Sequence, residues 1–310
     1  MSPPSGRAYL VYDRRVSEPA QPSRPVRSES PEVVALRNVR AQHPELSDAV
    51  DLQIQLLELY RRVQGRVALP LLELNLDTLA TQRPGVALLK FDDIRIEPTD
   101  LRLLVRQLGE LLHRHGALED ADHQRVQAIG RDGNVFDVVR RWYDAPSGRH
   151  VAAAVASAAG SGAVGEVWNG DAALDQVFSL ALRPWLSRCA EVLQQRSELA
   201  NWTHPDCPLC GAEPDLALIT PAAERHLVCS RCALRWNFET LTCPYCRNSD
   251  RTRITSFATP DGEYRVYACD QCHRYLKALD GRRARRPLMP LVDAIATLPL
   301  DAAAMQRGYR

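Results

Sequence analysis

Eight of the nine cysteines in this 310-residue chain stand in four C-x-x-C pairs: Cys207/Cys210, Cys229/Cys232, Cys243/Cys246 and Cys269/Cys272. Two intervening residues let a tight turn aim both sulfurs at one ion. The backbone N–H groups of that turn donate to the thiolates and offset part of the negative charge that four of them place around a divalent cation. Eighteen residues separate the first two pairs, ten the middle two and twenty-two the last two. The outer spacings suit two four-cysteine sites built from consecutive pairs. A cross-braced arrangement, first pair with third and second with fourth, is the alternative. All eight cysteines are expected to be metal ligands. Zinc and iron both accept a tetrahedral thiolate shell, and spacing does not separate them. Zinc would make the sites structural, whereas iron in the same cage would be a one-electron centre. A closed shell leaves no open coordination position, so Lewis-acid hydrolysis is not expected. No catalytic residue is assigned, and His204, His226 and His273 are read as surface neighbours of the pairs.

Pro follows the first cysteine in Cys207-Pro-Leu-Cys210 and in Cys243-Pro-Tyr-Cys246, and Gly211 follows the first pair, where a positive φ is needed. Ala233, Arg247 and His273 take the glycine's place after the other pairs, which predicts strained or differently shaped turns there. Arg231, Arg235, Arg247, Arg274 and Lys277 lie beside the cysteines, either to soften the thiolate charge or as solvated surface groups. Trp236, Tyr245, Tyr275 and Lys277 are candidates for a partner-binding surface, although aromatic residues in so small a unit more often form its core. Cys189, outside the pairs, is read as a small buried apolar side chain.

These sites need elements to hold them. Residues 1 to about 30, rich in Pro, Ser, Arg and Glu without periodicity, read as a disordered arm. From about Pro31 the spacing is helical. Leu52, Leu56, Leu59, Tyr60, Val63 and Val67 share one face, and Leu101, Leu104, Val105, Leu108, Leu111 and Leu112 share another. The second of these helices is expected to start at Thr99 or Asp100 as N-cap and to stop at Gly116. Residues Val151 to about Gly165 read as a weak helix or a linker. A further helix runs from Leu174 towards Leu199, with a kink expected at Pro184. Residues 31–200 thus form an all-α domain. Beyond Pro205 the helical period gives way to short strand-like runs at 216–219, 225–228, 254–257 and 264–267. Cores this small require a metal or a disulfide to fold.

The composition excludes several function classes. With 39 basic and 38 acidic residues the net charge is +1, so no overall field draws in nucleic acid or an anionic membrane. The Arg282, Arg283, Arg285 and Arg286 cluster is the best support for a nucleic-acid-binding zinc ribbon, the alternative reading. No apolar run reaches the roughly 18–20 residues of a membrane span, and no secretory h-region follows the N-terminus. Arg14 and Arg15 lead into polar residues and prolines, not into a twin-arginine export signal. A cytoplasmic protein is expected, where thiols stay reduced and paired cysteines point to metal, not disulfides. No βαβ unit frames a C-x-x-C and no Gly-rich loop opens a helix, so a redox enzyme using a nucleotide cofactor is not expected.

The stretch from Trp202 to Lys277 resembles the formate dehydrogenase accessory protein family, FdhE. The resemblance rests on Cys207-Pro-Leu-Cys-Gly211 followed by Pro214, on Cys229-Ser-Arg-Cys232 with Trp236, and on Cys269-Asp-Gln-Cys272 with Tyr275-Leu-Lys277. The tail, Asp293-Ala-Ile-Ala-Thr-Leu-Pro-Leu-Asp301 with Gly308-Tyr309, is also similar to the family's C-terminus. It implies an α+β protein: the all-α domain at 31–200, two small rubredoxin-like (zinc-ribbon-like) metal domains at 201–240 and 241–285, and a C-terminal tail at 286–310. It implies iron at both sites, with zinc as the alternative. The role implied is a non-enzymatic accessory factor that binds the catalytic subunit of respiratory formate dehydrogenase in the cytoplasm before export, without nucleic acid and without membrane insertion. Arg247, where the family has a Gly after the third pair, departs from the pattern.

Overall fold

Ser30 opens the first helix by accepting the N–H of Val33 (3.3 Å), and Pro31 at the first helical position has no N–H to leave unpaired. The computed structural model describes residues 29–67, 87–145 and 171–310. Nearly all of the arm expected at residues 1–30, and all of the weak helix or linker expected at 151–165, lie outside them. Helix α1 (Pro31–Gln42) turns through Pro44–Leu46 into α2 (Ser47–Gln64), which buries Leu56, Leu59, Tyr60 and Val63 as its spacing predicts.

Helix α3 (Pro98–Arg114) buries the expected Leu and Val stripe, and Gly116 stops it at φ +68°. Its N-cap is Glu97, two residues before the earlier of the predicted caps. Pro98 suits the first helical position and draws the start forward. Helix α4 (Asp120–Arg131) crosses α3 at very short range. A Cβ on Gly109 would lie 2.6 Å from Val126 Cγ1, and one on Gly130 would lie 2.4 Å from Arg106 Cγ. Helices α5 (Val135–Asp144) and α6 (Ala172–Leu193) complete the helical region, α6 capped by Asp171 and continuing through the buried Pro184.

Six strands follow: β1 (Pro214–Ile219), β2 (Arg225–Cys229), β3 (Arg235–Asn237), β4 (Ile254–Ala258), β5 (Tyr264–Cys269) and β6 (Arg274–Asp280). They form one sheet in the order β3-β2-β1-β6-β5-β4. Neighbours are antiparallel except β1 and β6, which run parallel with Leu216 opposite Lys277 and Ile219 opposite Asp280. Two three-stranded halves are thereby fused edge to edge. The free edge of β3 is closed by the Gln194 amide of α6, which accepts from Arg235 N (2.9 Å) and donates to Arg235 O (3.2 Å).

The chain then returns to its beginning. Helix α7 (Pro290–Ala296) buries Val292 among Val33, Leu36, Val39, Val50 and Leu57 of α1 and α2, and α8 (Leu298–Gln306) lies against β5. A second, larger core runs without a break from Leu104, Phe178 and Trp185 of the helices into Leu209 of the first cysteine turn and Leu227 and Trp236 of the sheet. The molecule is α+β, a helical N-terminal region followed by a sheet domain.

Candidate metal centres

The four C-x-x-C turns share one backbone design. In the first three, the N–H of the leading cysteine donates to the carbonyl five residues on: Cys207 to Ala212 (2.8 Å), Cys229 to Leu234 (2.9 Å) and Cys243 to Asn248 (2.8 Å). In all four, the N–H after the second cysteine donates back to the leading carbonyl, from Gly211, Ala233, Arg247 and His273. Those four residues are all left-handed, at φ +69°, +62°, +61° and +55°. Of the two expectations for Ala233, Arg247 and His273, strained or differently shaped turns, the left-handed φ values bear out the first and not the second. The shape is common to all four, and three side chains bear a conformation that only glycine adopts without cost.

Consecutive pairs converge, as the loop lengths favoured, and the cross-braced alternative is not what the chain adopts. Cys207, Cys210, Cys229 and Cys232 form one group, and Cys243, Cys246, Cys269 and Cys272 the other, with the sulfurs of each within 4.8 Å of one another. The closest sulfur pairs stand at 3.5 and 3.6 Å in the first group and at 3.7 Å twice in the second. Four sulfurs about 2.3 Å from a shared ion form a tetrahedron with edges of about 3.8 Å. Disulfide bonding would bring a pair to about 2.0 Å. The donor set thus fits a thiolate-bound ion, and two four-cysteine sites able to hold metal are present.

Charge explains why a cation belongs there. In the first group burial pushes the Cys207 and Cys232 thiols well up, while hydrogen bonds from the other three thiols hold Cys210 well down. In the second, burial raises Cys243, and it raises Cys272 to about 11. Burial also acts upward on Cys269, but the N–H groups of Cys272 and Gln271 carry it below its ordinary value. A thiol that burial holds up, as at Cys207, Cys232, Cys243 and Cys272, gives up its proton when it binds a cation. Further donors support individual sulfurs: Arg231 N and Cys232 N to Cys229 Sγ (both 3.4 Å) and Asn248 Nδ2 to Cys269 Sγ (3.8 Å).

The two groups differ in shelter. All four cysteines of the first are buried, whereas Cys246 and Cys272 of the second are partly exposed. The segment before Phe91 and helix α6 cover the first group: Leu88 N and Leu89 N donate to the carbonyls of Pro208 and Leu209 (both 3.0 Å), and Arg183 donates to Ser230 O. The Arg231 guanidinium lies 4.5 Å from the Trp142 ring centroid and also lowers the Cys210 thiol.

The other sequence candidates fall in varied places. Trp236 is 1% exposed, its indole N–H bonded to His204 O (3.0 Å). Tyr275 Oη and Lys277 Nζ both bind Asp301 of α8 at 2.7 Å, and Tyr245 Oη donates to Pro214 O. Arg274 makes a two-pronged pair with Glu213 (2.6 and 3.1 Å) and lies over the Tyr245 ring. Within the arginine cluster, Arg282 is paired with the fully buried Asp280 and Arg286 with the fully buried Asp293, which removes much of the support for nucleic-acid binding. Burial pushes the Cys189 thiol up to about 12, as suits an apolar core side chain. Sequence reasoning missed Trp142 and Asn248. No spacing links a helix residue to a distant turn. Among the described residues no helix is long and apolar enough to cross a membrane.

No family model matches the chain. A curated relative, "Protein FdhE homolog" of Shewanella oneidensis, is 34% identical over 107 residues, covering 33% of this chain and 35% of its own length. The protein of the same name from Haemophilus ducreyi is 30% identical over 134 residues, 42% of this chain and 43% of its own. The matches thus span from about a third to just over two fifths of these relatives. The crystal structure of the FdhE protein from Pseudomonas aeruginosa superposes with a TM-score of 0.56 at 22% identity, over 90% of this chain and 91% of that one. At that identity the match establishes a shared fold.

Proposed function

On the premise that the FdhE family is this chain's kin, which the relatives and the shared fold support, we propose that it is an accessory factor for maturing formate dehydrogenase. In this reading it catalyses no reaction and binds the catalytic subunit in the cytoplasm before export. The eight paired cysteines hold two ions, iron in the cell, with zinc as the alternative metal. Residues 201–240 and 241–285 are the two metal-binding units, and the all-α region at 31–200 and the tail at 286–310 frame them. The observation that carries the proposal is the coincidence of two closed four-sulfur groups with kinship to proteins named FdhE. Four sulfurs per ion leave no place for a substrate, so the ions act by giving the sheet domain its shape, which suits a binding partner better than an enzyme. Anaerobic purification of the full chain from its host, with metal analysis and identification of co-purifying proteins, tests it. Recovery of a formate dehydrogenase catalytic subunit with two equivalents of metal is the expected result. Recovery of nucleic acid, or of protein without metal, would overturn it.

A further inference from the structure

Arg225, in β2, is 2% exposed. Its guanidinium donates to the carbonyls of Glu239 and Thr242 and lies 5.3 Å from the Phe238 ring centroid, while its Nε has no acceptor. Among the described residues no carboxylate lies within ion-pair distance of it. The Glu239 carboxylate is turned to Thr242 Oγ1 (2.6 Å), and only the Glu239 carbonyl reaches the arginine. A guanidinium stays protonated in a protein, so Arg225 is a cation at neutral pH. A buried charge without a counter-charge costs several kcal/mol, and two neutral carbonyls offset only part of that.

Arg225 lines a void of about 10 Å³ together with Cys243 and Cys269, one sulfur ligand from each turn of the second group. Four thiolates around a divalent ion leave that group with net negative charge. We propose that Arg225 is the buried counter-charge of the second four-cysteine site and that it sets that site's hold on its ion. The strand has two duties. Its last residue, Cys229, belongs to the first group, while its first residue supplies charge to the second. The two sites therefore share one strand, and displacement of β2 disturbs both.

The inference rests on the proposal that both groups bind metal, and the test separates the two. The full chain is loaded with zinc, and zinc transfer to 4-(2-pyridylazo)resorcinol is followed. Iodoacetamide labelling and peptide mapping identify which cysteines are released. In Arg225→Gln the second site is expected to lose zinc about tenfold or more faster, as for other groups that support metal ligands, with release from the first site unchanged. In Arg225→Lys, which keeps the charge, release is expected to stay within about threefold of the unaltered chain. Equal release from the Gln variant and the unaltered chain overturns the inference, and so does equal acceleration in the Gln and Lys variants. If Arg225→Gln does not fold, Arg225→Met replaces it. Failure of both neutral variants beside a folded Lys variant holding two ions supports the inference, and failure of the Lys variant as well overturns it. An unaltered chain that takes up no zinc would sink the metal proposal itself.

Discussion

At the residue scale, the four left-handed positions after the cysteine pairs connect sequence to metal geometry most directly. A positive φ after each pair turns the chain back, and in the first three turns this brings the next residue's carbonyl to the leading cysteine's N–H. Gly211 meets that condition freely, whereas Ala233 pays for its Cβ. Ala233→Gly is expected to raise the stability of the metal-loaded protein by about 1 kcal/mol, and Gly211→Ala to lower it by a similar amount. Thermal unfolding of the loaded variants measures both. A fall in the melting temperature of the Ala233→Gly protein would show that the turn is not under the strain inferred.

At the element scale, α3 and α4 approach so closely that a methyl group on Gly109 would meet Val126 Cγ1 at 2.6 Å. Gly109→Ala must separate the helices or displace Val126, and a destabilisation of about 1–3 kcal/mol is expected by denaturant titration. A change near zero would mean that the crossing has slack. The end of β6 depends instead on charge. Hydrogen bonds from Arg282 hold the buried Asp280 carboxyl down at about 2, with Arg265 adding a further bond at 3.2 Å. A carboxyl depressed by folding stabilises the protein above its unfolded value, and that contribution is lost as pH falls through the folded one. Asp280→Asn should therefore weaken the protein at neutral pH and remove stability loss between about pH 4 and pH 2, as acid titration of both proteins by circular dichroism can test. Parallel curves for the two would exclude Asp280 as a source of that acid sensitivity.

At the scale of the whole molecule, the first sulfur group lies beneath the helical region and the second faces outwards on two of its four cysteines. Access to a ligand sulfur governs how fast a chelator or oxidant reaches it. A chelator added to protein holding two ions is expected to empty the Cys243, Cys246, Cys269 and Cys272 group first, with alkylation of Cys246 and Cys272 preceding that of Cys207 and Cys210. Simultaneous loss would show that the sheet opens as one unit before either ion leaves. The tail adds a further tie. Through α7 it shares a core with α1 and α2, and through Asp301 it holds Tyr275 and Lys277 of β6.

The eight ligand candidates, their division into consecutive pairs and the main helices were readable from the chain alone, because turn chemistry and helical periodicity are local and repeat at short spacing. The runs at 216–219, 225–228, 254–257 and 264–267 marked four strands, whereas β3 is only three residues long and β6, although Tyr275-Leu-Lys-Ala-Leu279 is as apolar as those runs, was not assigned. Tertiary structure alone decided that β1 and β6 pair in parallel to make one sheet. It also brought Trp142 over Arg231 and left Arg225 lining one void with Cys243 and Cys269, of a group to which its own strand contributes no cysteine. Each of those contacts joins residues far apart along the chain, where packing and burial, rather than any repeating spacing, determine which groups meet.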